Sequence, residues 1–297
     1  RYDKSTKTIF SIIFVIMYSI LNLPVILYSG ALVFENLFGI SKLLNITKFQ
    51  AIAFLCICIG VVGACYAIFG GLKAIAVSDT VNGVGLLIGG MMIPFLGFAV
   101  LGHMMGGDSS DIMNGIKYIL THHPEKLNAI NAWNSPQPQV PWPLLLTGML
   151  FNNLYFWCTN QSIIQRALGA RSLAEGQKGA IYCGFLKCFG FLYLVIPGVI
   201  AFHMFGPHIG MMDNAYPMLV AKVVPTPVLG FFAAVMFGAI LSSYNSVLNS
   251  AATMFTLDLY KDILKKGKPE KHYIKVGRAY SIIVGVISIA IAPFIMF

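Results

Sequence analysis

Three groups of residues and one lone carboxylate in this chain have the types and spacing to do chemistry in an apolar setting. Lys187 is the one Asp, Glu, Lys or Arg in the stretch 179–212, about nine residues and roughly 13 Å into it. Its ammonium either snorkels towards water or faces a wet cavity, where it would donate to a hydroxylated or anionic solute. Asn152 and Asn153 precede Tyr155, Phe156 and Trp157. Amides give fixed hydrogen-bond directions to hydroxyls while a flat ring packs on the apolar side of a sugar; helix–helix hydrogen bonds with an aromatic belt are the other reading. Ser242 and Ser243 lie three and four residues after Ala239, on one helical face. That face offers two hydroxyl oxygens and a carbonyl to a cation such as sodium, or else small residues where helices touch. Asp79 follows Gly70-Gly71 and is either a helix-start cap or a residue on an ion path.

The elements that position these groups follow from composition. The 297 residues are 57% apolar and 10% charged, with a mean hydropathy of +0.77, unlike a soluble domain with about 25% charge. Stretches free of Asp, Glu, Lys and Arg cover 8–34, 49–72, 80–107, 141–165, 179–212 with Lys187 inside, 223–257 and 279–297. Each can cross a hydrocarbon core of about 30 Å. The expected fold is therefore an all-α polytopic membrane protein with seven transmembrane helices, not an alternating barrel. With residue 1 cytoplasmic, fourteen Lys and Arg fall in inside loops against five outside. The positive-inside rule then fixes the orientation and puts Phe297 outside.

The composition and the isolated charges exclude a disordered chain, a disulfide scaffold and a cytosolic enzyme. The net charge of +9 forms no patch of the kind that binds nucleic acid. Six cysteines, all within apolar runs, read as small hydrophobes. The segment 108–140 is an outside loop containing His122-His123, a zinc pair without a third ligand, and Ser135-Pro136-Gln137-Pro138-Gln139 after Gly106-Gly107. Asn45-Ile46-Thr47 is an outside sequon. The basic run 261–278 suits lipid headgroups. Asn245, Ser246, Asn249 and Ser250 continue a polar face that suggests a cavity lining, and Pro24, Pro94 and Pro197 mark candidate kinks. Arg1 opens the chain without a signal peptide, so the sequence reads as an internal piece of a longer one.

Several motifs occur in order: Phe69-Gly70-Gly71-Leu72-Lys73-Ala74 with Ser78-Asp79; Asn153-Leu154-Tyr155-Phe156-Trp157-Cys158-Thr159-Asn160-Gln161 running to Gln165-Arg166; Gly184-Phe185-Leu186-Lys187; and Ser242-Ser243 with Leu248-Asn249-Ser250-Ala251-Ala252-Thr253-Met254-Phe255-Thr256-Leu257-Asp258-Leu259-Tyr260-Lys261. In these the chain resembles the solute:sodium symporter family, in its sodium/glucose and sodium/galactose branch, from residue 1 to 297. The resemblance implies a core of two inverted five-helix repeats, of which 1–297, as one transmembrane transporter domain, supplies the third to ninth helices. It implies that Asn153, Lys187 and, more weakly, Asn22 contact the sugar. It also implies that Ala239, Ser242 and Ser243 bind sodium and that Asp79 lies on the sodium exit path. Phe156 stands where similar proteins have a gating tyrosine, which keeps the stacking face and loses a hydroxyl.

The expected function is sodium-coupled symport of a galactose- or glucose-type sugar across the plasma membrane, the inner membrane in a bacterium. Sodium is the coupled ion, and a small sugar and the bilayer are the partners. The alternatives are a sodium symporter of sialic acid, inositol or a carboxylate, and a sugar sensor that does not transport. No His/Asp/Ser or Glu/His constellation lies within the spans, so enzyme chemistry is not expected.

Overall fold

The computed structural model describes residues 3–105, 112–122, 124–128, 130, 140–210 and 212–297, and the regular structure among them is helical. The expectations on Arg1, Gly106-Gly107, His123 and Ser135 to Gln139 lie outside the described residues. The helices that bear on function are, in chain order, α1 Lys4–Phe38, α2 Lys48–Met104, α3 Gly148–Cys158, α4 Gln161–Leu168, α5 Leu173–Lys187, α6 Phe191–Ile209, α7 Thr226–Leu264 and α8 Glu270–Met296.

Five of these, α1, α2, α6, α7 and α8, are long and apolar enough to cross a membrane, against seven expected stretches. The difference has two physical causes. At 1.5 Å per residue the 57 residues of α2 would extend about 85 Å, so one helix holds 49–72 and, as far as Met104, the stretch that begins at 80. Its break is at Gly71, with φ 61° and ψ −174°, a conformation open to glycine. The Tyr66 hydroxyl donates to the Ala74 carbonyl at 2.5 Å and ties the two arms together. Conversely, the stretch 141–165 is cut at Thr147 and Thr159, whose φ/ψ are not helical, and 179–212 is divided between α5 and α6. Uncharged breakers such as Thr and Asn are invisible to a search for missing charge.

Two compact units result, residues 1–86 with 231–297, and residues 87–230. In the first, α1, the first arm of α2, α7 and α8 share a core of Leu23, Leu27, Ile52, Ile59, Tyr244, Leu248 and Val284. Small residues set the approach, as expected where lipid offers no hydrophobic drive between helices. A Cβ on Gly63 would sit 2.7 Å from the Tyr244 ring, and one on Gly30 2.7 Å from Ile240. Hydrogen bonds cross the same contacts: Ser19 to Tyr280 at 2.9 Å and Tyr244 to Ser288 at 3.2 Å. At one end Lys7 pairs with Asp258 at 3.1 Å and Asp262 at 2.6 Å.

In the second unit α6 packs against Ala215–Val223. A Cβ on Gly97 would approach Ile200 to 3.0 Å, and one on Gly115 would strike the Phe98 carbonyl. His122, the described half of the histidine pair, stacks on Tyr118 at 4.1 Å, and Lys126 rests over the Phe202 ring. Pro24 and Pro197 each stand second in the α-helical segment that follows a π-helical turn, Met17–Asn22 and Phe191–Val195, so each lies where the helix changes its hydrogen-bond pattern. Pro94 lies inside α2. Ile9, Ile12, Ile16, Ile282, Ile283 and Val286 are exposed, as side chains facing lipid must be. Of the six free thiols only Cys56 is buried.

Candidate functional site

The cation-type residues all fall in the first unit. Ala239, Ser242 and Ser243 sit on successive turns of α7, and the Ser243 hydroxyl donates to the Ala239 carbonyl at 3.1 Å. Two of the three expected oxygen donors are thus adjacent, with Ser243 exposed and Ala239 half-buried. A hydroxyl bonded to the carbonyl four residues back is a common helical arrangement. Turning its hydrogen aside would leave both oxygens facing a cation. The Ser242 carbonyl is occupied, accepting from Ser246 Oγ at 2.6 Å.

Asp79 does not open a helix. It lies eight residues beyond Gly71 in the second arm of α2, so the N-terminal cap reading is corrected: Lys73 and Asp79 interrupt the charge-free runs without interrupting the helix. A Cβ on Gly85 would meet Val235 at 2.8 Å, and one on Gly238 would meet Asn82 Nδ2 at 2.7 Å. These contacts set an antiparallel register of 85 with 235 and 82 with 238, and Asp79 lies one turn before Asn82 on the same arm. Asn82 also donates to Ser78 Oγ at 3.3 Å. The sequence reading did not single out Asn82; its signal was its spacing, three residues after Asp79 on one helical face.

The polar face beyond Ser243 is realised in part. Asn249 lines a cavity, whereas Asn245, Ser246 and Ser250 are buried in helix packing: Asn245 is 1% exposed, and Ser250 Oγ donates to the Ser246 carbonyl at 2.7 Å. Sequence shows polarity at these positions, and local i−4 bonding is what satisfies much of it. Asn22, half-buried, ends the π turn of α1.

The solute-type residues Asn153, Phe156 and Lys187 fall in the second unit. The Asn153 amide donates to the Met149 carbonyl at 2.8 Å, leaving Oδ1 as its acceptor. Phe156 is 38% exposed and meets Trp157 edge-on at 5.1 Å. Lys187, on the last turn of α5, holds its Nζ 4.2 Å from the centre of the Trp157 ring. This cation–π contact joins the ammonium to the aromatic run of α3. The turn between α3 and α4 is fixed by Asn160, whose Oδ1 accepts from Ser162 N at 2.9 Å and from Ser162 Oγ at 2.6 Å. Among the described residues no group of three or more His, Cys, Asp or Glu could hold a metal ion.

A profile of the sodium:solute symporter family matches residues 1–296. The chain is 42% identical over 295 residues to the uncharacterized symporter YidK of Escherichia coli (strain K12), covering 99% of this chain and 50% of that protein. It is 30% identical over 313 residues to the sodium/glucose cotransporter of Vibrio parahaemolyticus, covering 99% of this chain and 54% of that one. The chain spans about half the length of these relatives. A solved structure of a Na+-coupled sialic acid symporter superposes with a TM-score of 0.78 at 20% identity, over all of this chain and 60% of that one, and shows a shared fold. With its apolar helices and a family match over nearly its whole length, this chain is a multi-pass membrane segment that belongs to the sodium:solute symporter family.

Proposed function

We propose that this chain is part of a secondary active symporter that couples sodium entry to uptake of a galactose- or glucose-type sugar. Residues 1–297 form one transmembrane domain that supplies the third to ninth helices of a ten-helix core of inverted repeats. Residue 1 is cytoplasmic and residue 297 outside. The observation that carries the reading is the Ala239 carbonyl and Ser243 hydroxyl held 3.1 Å apart on an accessible face of α7. The family match and the 30% identity to a protein named as a sodium/glucose cotransporter support it. Ala239, Ser242 and Ser243 contribute to the sodium site, Asp79 lies on its exit path, and Asn153, Phe156, Lys187 and Asn22 contact the solute. Sodium and solute raise each other's affinity, which is the coupling. One charge moving inward across 100 mV supplies about 2.3 kcal/mol, enough for roughly fifty-fold accumulation of a neutral solute.

One observation favours a second reading. Lys187 has no acidic partner among the described residues, so its ammonium is available to an anionic solute such as a sialic acid or another carboxylate. The test is sodium-gradient-driven uptake into proteoliposomes by the protein carrying this chain at its natural length, with galactose, glucose and sialic acid as labelled solutes. Sodium-dependent sugar uptake that falls at least tenfold in Ser243→Ala and in Lys187→Ala is expected. Uptake of sialic acid alone would select the second reading, and uptake indifferent to sodium would end both.

A further inference from the structure

A cavity of about 420 Å³ lies wholly within the first unit, away from the Ala239–Ser243 face, between Gly71 of α2, Asn249 and Thr256 of α7, and Gly277 and Arg278 of α8. Its polar wall is unfinished. Thr256 is 5% exposed, and its Oγ1 has no hydrogen-bond partner. That oxygen faces Gly277, where a Cβ would stand 3.1 Å from it, so the glycine keeps the space in front of the hydroxyl open. A buried hydroxyl left unpaired is unfavourable, and such an atom in a cavity wall calls for a ligand.

The charge of the cavity is one-sided. Arg278 lines it and has no acidic partner among the described residues, and no carboxylate is among the lining groups. The nearby acids of α7, Asp258 and Asp262, are engaged by Lys7. Lys271 and Lys275 precede Arg278 on α8. The remaining wall carries the neutral polar groups Asn249, Thr253 and Ser281 and an open apolar side, where Phe69 is 77% exposed and Ile274 55% exposed. A guanidinium recognises phosphate oxygens in pairs, and basic pockets between membrane helices suit anionic headgroups.

We infer that this cavity binds a phosphate-bearing anionic headgroup, with Arg278 holding the phosphate at the mouth and the Thr256 hydroxyl donating to an oxygen deeper in the wall. The exposed Phe69 and Ile274 favour a bilayer lipid over a free anion, since they would lie along its acyl chain. The site is independent of sodium and of the transported solute.

The test measures the thermal midpoint of the purified full-length protein in detergent and sodium-free buffer, with added phosphatidylglycerol, phosphatidylcholine or inorganic phosphate. Phosphatidylglycerol is expected to raise the midpoint and phosphatidylcholine at equal mole fraction to leave it unchanged. In Arg278→Gln and in Thr256→Val the phosphatidylglycerol needed for half the effect should rise about tenfold, as for one lost charge-assisted hydrogen bond. Thr256→Val keeps the side-chain shape and decides the matter should Arg278→Gln fail to fold. Inorganic phosphate reproducing the shift, with the same dependence on Arg278, supports the phosphate site and makes a free anion its ligand. Equal stabilisation of parent and variants, or of either lipid, or no stabilisation by any probe, overturns the assignment. Sodium-free conditions and a binding readout keep this result separate from the symport test.

Discussion

The carboxamide of Asn82 packs directly on Gly238, the residue before Ala239. A Cβ there would come within 2.5 Å of Asn82 Cγ, so Gly238→Ala must displace the Asn82 side chain or the arm of α2 that carries it. Overpacking of this kind costs about 1–3 kcal/mol. The expected result is a lower thermal midpoint and weaker sodium dependence of uptake, with much of both restored in Gly238→Ala/Asn82→Ala. Additive losses in that double-mutant cycle would mean that the two residues do not share the contact.

Much of this architecture can be read from sequence because it depends on missing charge. The apolar helices and the Ala239–Ser243 spacing are one-dimensional patterns that the fold realises directly. Three features are not legible in that way. The break at Gly71 depends on one φ angle, so counting charges placed a boundary at Asp79 that the helix ignores. Ser246 and Ser250 are polar in sequence yet buried, because bonds to the backbone carbonyls four residues back absorb their hydroxyls. The perch of Lys187 on Trp157 joins α5 to α3 across thirty positions of chain, a distance over which residue spacing carries no information.

That perch has a consequence for the solute. Replacing Trp157 by Leu removes the ring beneath the Lys187 ammonium and frees it to turn towards water, at a loss of about 0.5–2 kcal/mol for a cation–π contact. In proteoliposomes the half-saturating solute concentration should rise roughly two- to thirty-fold with sodium affinity unchanged. Trp157→Leu added to Lys187→Ala should then cost nothing further. A full additional loss would show that Trp157 acts on the solute by itself.

Gly71 and Gly83 provide a matched pair on one helix. Gly71 has φ 61° and ψ −174°, a region where any Cβ is strained by about 1–3 kcal/mol. Gly83 is helical, and nothing lies within 4 Å of where its Cβ would be. Gly71→Ala is therefore expected to lower the thermal midpoint, while Gly83→Ala leaves it unchanged or raises it through helix propensity. Equal effects of the two substitutions would contradict the break.

The buried pair Tyr244 and Ser288 makes an unequal prediction. Ser288 Oγ already donates to the Gly285 carbonyl at 2.8 Å, so its 3.2 Å bond with Tyr244 has the tyrosine hydroxyl as donor. Tyr244→Phe deletes that donor and leaves Ser288 with its own bond intact, a loss of about 0.6–1 kcal/mol. Ser288→Ala instead strands the hydroxyl of a fully buried tyrosine, which costs about 1–3 kcal/mol. The serine variant should be the less stable of the two, as read from thermal midpoints of the purified protein. The reverse order would mean that the hydroxyl hydrogen points elsewhere, and that α7 and α8 are joined at this level by packing alone.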